Sequence, residues 1–157
     1  MISNTKDLQA VIDDVLKRRG FVKCRSTWYR HHPETILVLN LQKDDFGGRY
    51  YINLAVGLRA LDPGDYPSEN RCHVRVRLES MVPDVSHVER VKKVFDLEDR
   101  SLGSEDRSQQ IRGLIESGAD FLERFTTEQS VGNEVRSDER IRNRTMVQAR
   151  RFLNIDA

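Results

Sequence analysis

Hydrophobic side chains recur at every second residue through one part of this chain and at every third or fourth through another, and the change falls at Pro83. A strand turns successive side chains to opposite faces, whereas a helix brings i, i+3 and i+4 together, so the period selects the element. Leu37, Leu39 and Leu41 share one parity, as do Tyr50, Ile52, Leu54, Val56 and Leu58, and then Val74, Val76 and Leu78. An earlier stretch, 21–32, alternates imperfectly. Four strands are therefore expected, over 21–32, 35–43, 49–61 and 72–80.

Helical spacing brackets them. Leu8, Val11, Ile12, Val15 and Leu16 lie on one helix face, with Asn4 or Thr5 to cap the start, Asp7 in the first turn and Gly20 to close the end. After Pro83 and Asp84, Val88, Val91, Val94 and Phe95 predict a short helix. Ile111, Leu114, Ile115, Gly118, Phe121, Leu122 and Phe125 predict a longer one starting near Ser104. In the tail, Val131, Val135, Ile141, Val147, Phe152 and Leu153 are sparse among charges and predict helix docked by its ends. The strand connections are short and rich in turn residues, which favours an antiparallel meander over parallel crossovers. The expected fold is a single α+β domain over 1–157. It has an N-terminal helix, a four-stranded antiparallel meander sheet, and C-terminal helices from about residue 84 covering one sheet face.

Three strings resemble something known: Gly20–Phe21–Val22–Lys23 after the opening helix, Leu41–Gln42–Lys43, and Tyr50–Tyr51–Ile52–Asn53–Leu54. Together they resemble an uncharacterised bacterial family catalogued as domain of unknown function 4304, over roughly the first eighty residues and more loosely beyond. The strings mark a fold and not a chemistry. The resemblance implies no activity, ligand or catalytic residue.

Several function classes find little support. The net charge of +1 gives no global attraction to nucleic acid or anionic lipid. Cys24, Cys72, His31, His32 and His73 are ligand types for zinc. A meander puts the first and last strands at opposite edges, so no metal site is expected, and the cysteines read as small apolar groups. Asp44 and Asp45 lack the ligand spacing and closing glutamate of a calcium loop. Gly47–Gly48 lacks the GK[ST] element of a phosphate loop, and no cofactor motif is present. Nothing in the spacing of Ser26, Ser80 and the histidines demands a nucleophile and base, which leans away from an enzyme. The first seven residues lack the basic start and apolar run of a signal peptide, and the apolar stretch Ile36–Leu39 cannot span a bilayer. A cytoplasmic protein with reduced thiols and no membrane partner is expected.

The sheet face opposite the helices is the candidate site. Strand parity assigns it Asn40, Gln42, Tyr51, Asn53, Arg59, His73, Arg75 and Arg77, with Lys23 and Arg25 joining if the first strand's parity allows. Ile36, Val38 and Ala55 keep it from being wholly polar. Guanidinium groups at alternate positions converge readily on one carboxylate or phosphate, yet one-sided antiparallel sheets ordinarily turn a polar face to water. Trp28 is expected in the core and Tyr29 partly exposed. The preferred reading is a non-catalytic bacterial interaction protein, accessory or immunity-type, that binds another protein through this face. The alternative is a nucleic-acid-binding accessory protein using Arg140, Arg142, Arg144, Arg150 and Arg151 on a C-terminal helix, a stretch without an acidic residue. A third reading, a small-ligand receptor or enzyme, needs a pocket lined by Asn40, Gln42, Asn53 and Arg77.

Overall fold

A computed structural model describes residues 2–81 and 85–155, so the Pro83–Asp84 helix signal lies outside the described residues. Helix α1 is Thr5–Arg18. The Asn4 side chain accepts the Asp7 N–H at 2.9 Å, satisfying one of the donors a helix start leaves orphaned. At the other end Gly20 turns the chain out with φ +85, a region that costs glycine nothing.

The sheet has five strands, not four. The stretch 21–32 is a hairpin of β1 (Val22–Cys24) and β2 (Thr27–His31), and its imperfect alternation is a reversal of direction. The turn is Arg25–Ser26, with Arg25 at φ 59. An arginine where glycine, asparagine or aspartate is usual gives no turn signal. Strands β3 (Thr35–Lys43), β4 (Tyr50–Leu58) and β5 (Val74–Arg77) complete an antiparallel meander in sequence order.

One face of the sheet carries the main core. Trp28, Leu37, Leu39, Leu41, Ile52, Leu54, Val56, Val74 and Val76 are buried there with the apolar stripes of α1 and the later helices. These are α2 (Val85–Val94), α3 (Ser104–Leu122), α4 (Glu128–Ser137), α5 (Glu139–Arg142) and α6 (Val147–Phe152). Helix α3 lies close on the sheet at Gly118, where an added Cβ would sit 3.3 Å from Leu54 Cδ2. Arg19 at the end of α1 ties it to α3, donating to Glu116, Asp120 and Glu123 at 2.7, 2.6 and 2.7 Å.

The tail docks, and it does so on the sheet edge. Met146 N–H donates to His73 O at 2.8 Å and Arg75 N–H to Arg144 O at 3.1 Å, with Thr145 bridging Val74. This short segment runs along the free edge of β5 and satisfies groups that an open edge would leave unpaired.

Candidate binding face

Antiparallel register places residues from all five strands in rows on the outer face. Cys24, Thr27, Asn40, Asn53 and Arg77 make one row. Val22, Tyr29, Val38, Ala55 and Arg75 make the next, and Gln42 with Tyr51 flank the first on its other side. The face is not uniformly polar, and it divides into a covered half and an open half.

In the covered half, Tyr29, Ile36, Val38, Ala55 and Cys72 form a second small core. The segment 62–71 lies across it. The Tyr29 hydroxyl donates to Pro67 O at 3.0 Å, and Tyr66 stands edge-on to Tyr29 and His31 at 5.2 and 5.1 Å. Arg59 reaches Asp65 at 2.7 Å, and Arg75 grips Glu69 through Nε and Nη2 at 3.0 and 3.2 Å. The Glu69 carboxylate raises the Arg75 pKa.

Several expectations are corrected by this cover. Tyr29 is buried, not partly exposed. His73 is also buried: its Nδ1 accepts the Leu58 N–H at 2.9 Å, and burial lowers its pKa, so it stands as a neutral structural imidazole. Arg59 and Arg75 are spent on holding the segment. Lys23 belongs to the Trp28 face, 6.0 Å from that ring, and Arg25 sits in the β1–β2 turn. Strand parity decides which face a side chain takes, but not whether another segment lies over it.

The open half holds what remains. Asn40 donates to Thr27 Oγ1 at 2.9 Å, and the Asn53 amide donates to Asn40 Oδ1 and Gln42 Oε1, both at 3.0 Å. Hydrogen bonds thus link three neighbouring strands through their side chains. Gln42 is exposed, and Thr27, Asn40, Tyr51 and Arg77 are half-buried. The Arg77 guanidinium stacks 4.0 Å above the Tyr51 ring, whose hydroxyl donates to Asp44 Oδ2 at 3.2 Å. Tyr51, with Asp96 and Asp44, raises the pKa of Arg49. Sequence parity found this group, but its internal bonding depended on register.

Of the four residues expected to line a pocket, Asn40, Gln42 and Asn53 are joined by hydrogen bonds, while Arg77 sits beside Asn53 in register and stacks on Tyr51. The clefts between α2 and α3 (about 250 Å³) and at the start of α1 (about 400 Å³) are lined by other residues. Among the described residues no group of three or more His, Cys, Asp or Glu is placed to hold a metal ion. Cys24 is exposed and Cys72 buried, with burial pushing the Cys72 thiol up to about 12.

The tail arginines do not share one helix. Arg140 and Arg142 belong to α5 and Arg150 and Arg151 to α6, with the edge-pairing segment and Arg144 between them. Arg140 pairs with Asp138 at 3.0 Å, Arg142 donates to Arg136 O at 2.8 Å, and Arg150 donates to Thr145 O at 2.9 Å. Arg144 and Arg151 are left exposed at separate places. Arg107 escaped the sequence reading altogether. It is 4% exposed and donates to backbone carbonyls of Lys93, Val94, Asp96 and Asp99.

No helix among the described residues is long and apolar enough to cross a membrane. A family model described as a domain of unknown function, DUF4304, matches residues 12–124, from within α1 to just past α3. No curated protein and no solved structure matches the chain.

Proposed function

The chain belongs to the DUF4304 family, and on that premise we propose that it is a non-catalytic bacterial interaction protein, accessory or immunity-type, that docks another protein on the open half of its outer sheet face. The observation that carries this is the side-chain ladder Thr27–Asn40–Asn53–Gln42, hydrogen-bonded across three strands on the half that segment 62–71 leaves uncovered. Such a surface is already ordered, so a partner that settles on it loses little side-chain entropy. Each internal bond contributes only about 1 kcal/mol to stability, so the row's rigidity bears on recognition more than on holding the fold. The two free thiols, Cys24 and Cys72, fit a reducing cytoplasm.

The test is capture from the source lysate by wild type, by Gln42→Arg and by Cys24→Arg, each checked for unchanged circular dichroism. Both substitutions put bulk on exposed positions of the open half and leave Arg77 in place. A protein retained by wild type and lost by both variants supports the reading. Equal retention by all three refutes it. Capture abolished by nuclease and by Arg144→Glu with Arg151→Glu would favour nucleic acid instead.

A further inference from the structure

Three arginines point from the outer face, and their circumstances differ. Arg59 and Arg75 each hold a carboxylate of segment 62–71. Among the described residues Arg77 holds none, and its guanidinium lies over the face of the Tyr51 ring, 4.0 Å away. A guanidinium stacked on an aromatic ring keeps its N–H donors in the ring plane's periphery, directed outward and free to form a two-pronged bond. The stack also fixes the side chain, which lowers the entropy lost when a ligand binds.

The surroundings state what charge would suit it. Asp44 accepts from the Tyr51 hydroxyl, Arg49 feels the field of Tyr51, Asp96 and Asp44, and Arg75 is neutralised by Glu69. Lys43 follows the parity of Leu41 and so belongs to the other face. Beside the ladder, Arg77 is the cation that no carboxylate among the described residues holds, with the exposed Arg144 lying beyond Arg75 at the sheet edge. Next to Arg77, Asn53 spends both amide hydrogens on Asn40 and Gln42, so Gln42 accepts through Oε1 and turns its own NH2 outward as a neutral donor. A single planar cation with an amide donor matches a carboxylate, which carries one charge on two coplanar oxygens. A phosphate monoester, with nearly two charges and tetrahedral oxygens, would leave about one charge unmatched here.

We propose, building on the docking reading above, that Arg77 on its Tyr51 platform is the receptor for one aspartate or glutamate side chain of the partner, so that the partner presents an acidic surface to this face. Arg77 is then the specificity-determining contact, and the Thr27–Asn40–Asn53 ladder the surface around it.

The test needs no partner. With 15N-labelled protein, N-acetyl-glutamate α-amide, which carries one side-chain carboxylate, is titrated against sodium chloride of equal ionic strength, with methyl phosphate as a second arm. The Arg77 Nε–Hε and Gln42 side-chain amide signals should shift saturably, with a Kd on the order of 10 mM, as expected for a two-pronged hydrogen bond between charged groups. Arg77→Gln should abolish the shift of the Gln42 amide. Arg77→Lys should weaken binding about tenfold, because an ammonium lacks the planar fork. A shift that does not saturate, persists in Arg77→Gln, or is stronger with methyl phosphate overturns the proposal. Any of these leaves the capture experiment free to support docking by another contact, and failed capture leaves the titration to stand by itself.

Discussion

Arg107→Met removes a buried charge while keeping most of the side-chain volume, and the structure sets the size of the effect. The Arg107 Nη1 donates to Lys93 O, Val94 O and Asp96 O at 3.1, 2.5 and 3.0 Å, and Nη2 donates to Asp99 O. Lys93 and Val94 close α2, where the last carbonyls have no partner further along the helix and carry its negative end. One guanidinium therefore caps α2 and pins the chain that follows it. Hydrogen bonds to a charged group contribute roughly 1.5–3 kcal/mol each. Three bonds share one nitrogen, and the variant no longer has to bury a charge, so the terms do not sum. The net loss should be about 3–4 kcal/mol, close to that for breaking other buried ionic contacts. At roughly 2–4 °C per kcal/mol for a chain of this size, Tm should fall by about 10 °C. Equilibrium urea unfolding measures the loss directly, and the m-value should not change. Hydrogen exchange should quicken most over 95–103, the segment between α2 and α3. Arg107→Lys should lose about half as much, since an ammonium reaches fewer carbonyls. A loss below about 1 kcal/mol for the methionine variant would refute the reasoning, because the carbonyls would then be finding equally good partners elsewhere.

Other outcomes follow from single contacts. His73 and His32 are held below the ordinary histidine value, chiefly by burial, with Arg30 adding to the effect at His32. The unfolded chain then takes up protons near pH 6.5 while the folded chain does not, so stability is present above about pH 6.5 and falls as pH drops below it; an unchanged urea midpoint between about pH 7.5 and 5.5 would contradict this. Gly20→Ala should cost about 1–2 kcal/mol from its φ of +85 and not from crowding, since the nearest atom to the new Cβ, Arg30 Nε, is 3.6 Å away; a neutral result in urea would count against strain there. Tyr29→Phe should lose about 1 kcal/mol with the bond to Pro67 O and speed proteolysis within 62–71; unaltered cleavage would mean the hydroxyl does not hold the segment. Iodoacetamide should label Cys24 alone in the native protein and both thiols in denaturant, since Cys72 is buried with its thiol at about 12; rapid native labelling of Cys72 would mean that the cover opens readily.

Elements with a long and regular hydrophobic period were legible from the sequence alone. Helix α1, strands β3 to β5 with their inward parity, and α3 were all readable, because a buried stripe or face must repeat with the element's own geometry. The sequence also assembled the open polar row, since Asn40, Asn53 and Arg77 share a parity. The β1–β2 turn was not readable, because Arg25 takes a left-handed conformation that arginine does not advertise.

Tertiary structure decided what each exposed-parity residue meets. Arg59, Arg75 and His73 look equivalent to Arg77 in the sequence, yet segment 62–71 and the β4 backbone occupy the first three. The tail arginines looked like one basic helix until the chain broke to pair with the edge of β5. Arg19 meets Glu116 across 97 residues, a partnership that no local pattern encodes. Period and parity are local properties of the backbone, set by the φ and ψ of neighbouring residues. Which charge is paired and which face is covered depend on where distant segments come to rest, and only packing in three dimensions decides that.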